Sequence, residues 1–288
     1  MNACDYHAEV LESNPILDKL TKKISSDNLQ QVYIDDPDVQ NKLQFTKSIT
    51  FITHGWLGNH SSYWMLQSAS DILQYTDSSV CLVAWDHLAK YVYPQVAQQH
   101  APRVSEYMTR FVRFLNQQGI PPQNMTLVGH SIGAHVCGQV GHNLGGKIAE
   151  IYGLDPAGPM FTHPTRQESS FRLDSTDAGY VQMIVTTRVI LGVNYGDGHA
   201  NFYPNGGTSP QKSCDSPGTS SSDWAQEVSC SHSYATVLFQ CSINPAVSYE
   251  ARRCRDWVLF KRGLCNANQI DMLGLHSRKM KGDFYLEV

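Results

Sequence analysis

"LVGHSIGAHVCG", residues 127–138, sets Ser131 between Gly129 and Gly133 where an apolar, β-capable run gives way to a helical one. The run before it, "MTLV" at 125–128, reads as a strand, and "IGAHVCGQVGHNL" after it reads as a helix of small residues. A serine on a sharp strand-to-helix turn has its hydroxyl exposed above a sheet, and the flanking glycines let strand, helix and substrate approach closely. The stretch predicts a nucleophile-bearing turn in an α/β protein.

On either side, strands alternate with helices. "KSITFITHGW" at 47–56 and "SVCLVAW" at 79–85 are strand candidates, with a helix expected between them over 62–75. Residues 102–118 predict a second helix, with proline in its first turn and Val104, Met108, Phe111, Val112 and Leu115 on one face. Gly119 and the Pro121-Pro122 pair end it, and "KIAEIYGLD" at 147–155 supplies another strand. Such alternation implies βαβ units, hence a mainly parallel central sheet covered by helices. Beyond Asp155 the texture changes. Residues 157–170 are loop-like, "YVQMIVTT" at 180–187 reads as a strand, and 196–222 is a long stretch rich in Gly, Ser, Pro and Asn, of the kind that usually serves function. A further helix is expected to begin near His232, and the β-like "GDFYLEV" occupies 282–288. A single domain over 1–288 is the simplest organisation.

The totals bound the function. The 288 residues are 41% hydrophobic and 17% charged, with a formal net charge of -4, which suits a soluble globular protein and gives no reason to expect a nucleic-acid partner. No run approaches the roughly 20 apolar residues of a membrane span, and the start, "MNACDYHAEV", has neither the basic flank nor the apolar core of a signal peptide. Eight cysteines, five of them in the last third, point to an oxidising compartment. The expectation is a secreted, extracellular chain whose signal has been removed. The acceptor triplets Asn59-His60-Ser61 and Asn124-Met125-Thr126 make Asn59 and Asn124 glycosylation candidates.

A serine hydroxyl attacks at neutral pH only when a base takes its proton and a third group orients that base. In this turn context the partners follow in chain order, an acid and then a histidine. Asp155 ends a predicted strand at the same sheet edge as the serine and is favoured. Asp174 and Asp177 remain rivals, while Asp197 lies in a turn. For the base, His163, His199, His232 and His276 remain, with His232 anchored two residues after Cys230 beside a long loop and His199 committed to a β segment. Acyl transfer also needs donors for an oxyanion. The N–H of Ile132, the residue after the serine, is one, and Trp56 in "THGWLG" is the natural second. No paired C-x-x-C or H-x-x-x-H spacing accompanies Cys230 and His232, so no metal or other cofactor is expected.

Together "FITHGW", "VAWDH", "VGHSIGAH", "GLDPAGP", "RLDSTDAGYVQMI", "GHANFYPNGG" and "CSH" resemble, in order, the animal lipases of the pancreatic lipase family, continuously from about 47 to 232 and more weakly beyond. The resemblance implies an α/β-hydrolase fold with Ser131 as nucleophile, Asp155 as its acid partner, His232 as base, and Trp56 with Ile132 as oxyanion donors. It implies a lid closed by a Cys214–Cys230 disulfide around "DSPGTSSSDWAQEVS", a crosslink worth about 3 kcal/mol on a loop near that length. Trp224 lies on that lid. Cys254 and Cys265 match a family pair, Cys4 with Cys81 is a further pairing, and Cys137 and Cys241 have no obvious partner.

The short lid and the short segment 187–198 are similar to those of phospholipases A1, including wasp-venom enzymes, and are shared in part by insect neutral lipases. Larger members carry a C-terminal β-sandwich that engages a protein cofactor or lipid surface. This chain stops too early for one, so no colipase-like partner is implied. Some members hold calcium near "ESSFRLDSTD", where Asp174 and Asp177 match but Ser169 replaces a carboxylate. The expected function is a secreted serine ester hydrolase that releases fatty acid from a glycerolipid at a membrane or lipid-droplet surface, as a phospholipase A1 or a neutral lipase. The alternative is a non-catalytic lipid-binding or yolk-type storage member, against which the complete Ser131, Asp155 and His232 set weighs.

Overall fold

The computed structural model describes residues 29–43, 48–214 and 224–288. Among these, one nine-stranded sheet runs through the molecule in the order β2-β1-β3-β4-β5-β6-β9-β7-β8. The strands are β1 (Ser48–Thr53), β2 (Ser78–Val83), β3 (Met125–His130), β4 (Ile148–Leu154), β5 (Ala178–Ile184), β6 (Ala200–Pro204), β7 (Glu250–Arg253), β8 (Ile270–Met272) and β9 (Gly282–Leu286). Every pairing from β2 across to β9 is parallel, and β7 pairs antiparallel with both β9 and β8.

Strands covered on both faces need apolar residues at successive positions, and β1, β3 and β4 have them. Ile49, Phe51, Leu127 and Ile151 enter one core layer. Ile52, Val128 and Tyr152 enter the other. The first layer is roofed by α2 (Ala101–Gln117) and α3 (Ile132–Asn143), through residues such as Val104, Val112, Val136 and Val140. The second is roofed by α1 (Tyr63–Tyr75) and α4 (Trp224–Ile243), through Met65, Ala69, Leu238 and Phe239. Gly138 and Gly141 let α3 lie close to the segment before β5, since an added Cβ would sit 2.6 Å from Leu173 Cα and 2.2 Å from the Asp177 carbonyl oxygen.

The α/β reading and the mainly parallel sheet hold, with three differences. The helix expected from 102 starts at Ala101 and is entered through a π-helical turn, Val96–His100. His232 does not begin a helix: α4 already runs from Trp224, which puts His232 in its third turn. The strand β7, "EARR", buries one residue of four and so carries no apolar alternation that sequence could register.

The Cys4–Cys81 pairing is corrected. Cys81 is a free thiol on β2, in register with Phe51 of β1 and inside the first core layer, and burial pushes it up to about 12. A thiol in that position faces hydrocarbon, and Cys4 lies outside the described residues. Cys137 is likewise free and buried, within α3. Cys241 is disulfide-bonded, although sequence suggested no partner for it. Cys214–Cys230 and Cys254–Cys265 are formed, with Cα–Cα distances of 5.8 and 5.6 Å.

Candidate active site

The passage from β3 to α3 forces Ser131 to φ 57°, ψ -124°. An L-residue held in such a conformation carries about 1–3 kcal/mol of strain and persists only where its surroundings over-determine it. Here its N–H donates to the Leu154 carbonyl (3.0 Å), and its own carbonyl accepts from Ala134 (3.1 Å) and Ala157 (3.3 Å). The glycines around it answer to contact as much as to chain bending. A Cβ on Gly129 would lie 2.3 Å from the Gly133 oxygen, one on Gly133 2.4 Å from the His54 oxygen, and one on Gly55 2.7 Å from Ser131 Cβ.

Asp155, directly after β4, also has positive φ (41°) and is fully buried. Its Oδ1 accepts from the N–H groups of Thr186 (2.7 Å) and Thr187 (3.1 Å). Its Oδ2 accepts from the Thr187 hydroxyl and from His232 Nδ1–H, the latter at 2.6 Å. A Cβ on Gly192 would strike Oδ1 at 2.5 Å, so the segment after β5 closes over the carboxylate. His232 is secured from the other side by His130, the residue before Ser131, whose Nε2–H donates to the His232 carbonyl at 3.1 Å with the rings 4.6 Å apart. Burial first, and the neighbouring His232 second, push His130 down to about 3. It stays neutral at physiological pH and does not compete for a proton.

The alternatives left open by sequence are engaged elsewhere. Asp197 pairs with Arg172 and Arg166, at 2.6 and 2.5 Å. Asp174 accepts from the N–H and hydroxyl of Thr176. Asp177 accepts from Asp174 N–H. His199 Nδ1 accepts from Val181 N–H, and His276 Nε2–H donates to the Ile243 carbonyl. His163 Nδ1 lies 3.4 Å from the hydroxyl of Thr162 beside it.

Ile132 opens α3, and a first-turn N–H has no intrahelical acceptor. Trp56 lies in a turn closed by a Gly58 N–H to Gly55 carbonyl bond (3.1 Å), one residue beyond the glycine that touches Ser131. Its indole Nε1–H donates to the Tyr91 carbonyl (2.8 Å). Sequence reasoning missed His130, Thr186 and Thr187, and also His54 and Asp86 beneath the Trp56 turn. "VAWDH" set Asp86 within a motif of the family but gave no sign of its contact with His54. The bridged Cys230 is two residues before His232 in α4, and residues 215–223 of the expected lid lie outside the described residues. Asn59 and Asn124 are both exposed.

The Asp174 and Asp177 segment does not fit a bound calcium ion. The Arg172 guanidinium lies 3.8 Å from Asp174 Oδ2 and takes the place of a cation. Burial pushes Asp177 up to about 8, so it is largely uncharged at neutral pH. Among the described residues, no group of three or more His, Cys, Asp or Glu side chains could hold a metal ion, and no helix is long and apolar enough to cross a membrane.

Comparison with known proteins agrees with this geometry. The lipase family model matches residues 16–288. Lipase member H of Xenopus tropicalis is 31% identical over 237 residues, covering 82% of this chain and 50% of that protein. Phospholipase A1 member A of Bos taurus is 30% identical over 240 residues, again with 82% and 50% coverage. The chain thus spans about half the length of the curated relatives it matches. With the family model matched from residue 16 to residue 288 and the serine turn standing at the end of β3 in a mainly parallel sheet, the chain belongs to the lipase family.

Proposed function

We propose that the protein is a secreted serine ester hydrolase that releases a fatty acid from a glycerolipid. The observation that carries this reading is the 2.6 Å bond between Asp155 and His232 Nδ1, built beside a serine with strained backbone. The acid holds the imidazole with its proton on Nδ1, which leaves Nε2 basic. Ser131 Oγ attacks the acyl carbon while His232 Nε2 takes its proton, and the N–H groups of Ile132 and Trp56 stabilise the oxyanion. His232 then returns the proton to the departing alcohol oxygen, leaving an acyl-Ser131 ester. Water, deprotonated by the same nitrogen, cleaves that ester, which frees the fatty acid and restores the serine.

A phospholipid substrate is favoured over triglyceride, on the short segment 187–198 and on the relative named phospholipase A1. Secretion is supported by the disulfides. The test measures fatty acid release from phosphatidylcholine with distinguishable chains and from emulsified triglyceride, with Ser131→Ala as control. Release of the sn-1 chain with little triglyceride cleavage is expected. Equal release by Ser131→Ala, or no labelling of the wild type by a fluorophosphonate, would overturn the reading and leave a non-catalytic lipid-binding member.

A further inference from the structure

The Gly55–Gly58 turn that carries the Trp56 N–H is not a relaxed structure. Leu57, at its third position, has φ 57° and an exposed side chain, a backbone conformation that favours glycine. Something outside the turn must hold it, and five hydrogen bonds to the segment after β2 do so. Leu57 N–H donates to the Ala89 carbonyl (3.0 Å), and the Trp56 indole donates to Tyr91. The other three converge on one carboxylate. Asp86 Oδ1 accepts from His60 N–H and from His54 Nε2–H, each at 2.9 Å, and Asp86 Oδ2 accepts from His60 Nδ1–H at 2.7 Å.

His54 is the floor of the turn. Its ring is buried, stacked on Trp85 (centroids 4.9 Å apart, planes 5° apart), with Nδ1 3.0 Å from the Gly55 carbonyl oxygen. A Cβ on Gly58 would lie 2.8 Å from His54 Cβ, so the turn is folded down onto this side chain. The His54 carbonyl in turn packs on Gly133 in the first turn of α3. One carboxylate therefore ties both ends of the segment 54–60, and that segment is wedged between Ser131 and the helix it begins. Burial alone would raise Asp86. The bonds from His60 and the charges of His60 and His54 outweigh it and hold the group below the usual carboxylate range, in the ionised form that can accept all three bonds.

We propose that Asp86 is a positioning residue for oxyanion binding: by gripping His54 and His60 it holds the Trp56 N–H against the site of attack at Ser131, an assignment that rests on the hydrolase reading. Asp86 bonds to His54 and His60 and acts through them. Its removal acts on the stage at which negative charge develops and leaves ground-state binding alone.

The experiment compares wild type, Asp86→Asn, Asp86→Ala and His60→Ala on a soluble p-nitrophenyl ester, with active sites counted by fluorophosphonate titration and with the affinity of an alkyl trifluoromethyl ketone measured in parallel. The ketone adds Ser131 to give a hemiketal whose oxyanion needs the same donors. For Asp86→Ala, kcat per active site should fall about 30- to 300-fold, KM should stay within about threefold, and the ketone Ki should rise by the factor that kcat falls. Asp86→Asn should lie between, because the amide oxygen still accepts from His60 N–H. It also carries the test should the alanine variant fail to fold. His60→Ala, which keeps the His54 contact, should lose about threefold to tenfold.

A merely structural role would reduce the number of titratable sites and leave kcat per site and Ki unchanged. That result, or an unchanged Ki beside a lowered kcat, would overturn the proposal while leaving the hydrolase reading intact. A wild-type protein inert to both the ester and the fluorophosphonate would overturn the hydrolase reading, and the role of Asp86 with it.

Discussion

Asp155 divides its carboxylate between two tasks: Oδ1 is saturated by the backbone of Thr186 and Thr187, while Oδ2 points at His232 Nδ1 across 2.6 Å. The histidine is thereby oriented by an anion that is itself immobile. Replacing Asp155 with Asn puts an amide where an acceptor is needed and favours the wrong tautomer. Under the hydrolase reading, kcat should drop about 10³- to 10⁴-fold, with KM for a soluble ester little changed. Thr187→Val removes one hydroxyl donor and should cost about tenfold in kcat. Steady-state kinetics on both variants checks the ranking, and equal losses would contradict it.

The serine backbone offers a second test, of stability. Ser131→Ala retains the strained φ, whereas Ser131→Gly relieves it. Both should be inactive, yet the glycine variant should be more stable than the alanine variant by about 1 kcal/mol in urea denaturation. Equal midpoints would show that the turn is not strained.

The buried Asp177 sets an opposing pH dependence. Its carboxyl is raised from the ordinary 3.8 to about 8, chiefly by burial, and its Oδ1 has no hydrogen-bond partner among the described residues. Between those values the unfolded chain gives up a proton that the folded chain keeps, so this group's contribution declines as pH rises from about 4 to about 8. Asp177→Asn, uncharged at every pH, should gain on wild type by about 5 kcal/mol between pH 4 and pH 8 and match it near pH 4. Denaturant midpoints at the two pH values measure the difference, and a constant offset would refute the titration.

The Cys214–Cys230 bridge anchors the helix that carries His232 across a sequence separation of 16 residues. Replacing both cysteines with serine should lower stability by about 3 kcal/mol. Thermal unfolding of the double variant, with Cys254–Cys265 intact, tests this.

Cys81 and Cys137 should resist alkylation in the native protein and react only after unfolding in denaturant, because both thiols are buried and raised by burial. Peptide mapping identifies the labelled positions. Native-state labelling of Cys81 would show that it is not buried, and failure to label it after unfolding without reductant would show that it is paired.

The sequence disclosed what is local. The strand-turn-helix around Ser131 could be read from adjacent residues, and so could the parallel alternation, because each depends on short-range pattern. Asp155 and His232 were nominated by chain order and resemblance, and the structure puts them in contact across 77 residues of chain. What stayed hidden depends on distances that pattern does not encode. His54 and Asp86 are 32 positions apart, and nothing in "THGW" or "VAWDH" signals that they meet. Cys81 was offered a partner because cysteines were available, while its alternate position on β2 already turned it toward Phe51. His232 was set at a helix start because the preceding polar stretch masked the first turns of α4.

Gly55 presses on Ser131, Gly192 on Asp155, and Gly133, within the serine turn, on the His54 carbonyl, each so closely that one methyl group would collide. Under the hydrolase reading, the reaction centre is consequently sealed against gradual remodelling from within, since even the smallest enlargement crowds Ser131, Asp155 or the backbone that frames them. On that reading, diversification of substrate choice proceeds through the segment 187–198, where Val189 and Tyr195 are exposed. Design of altered selectivity in this scaffold is therefore a problem of rebuilding loops, with the inner ring left untouched.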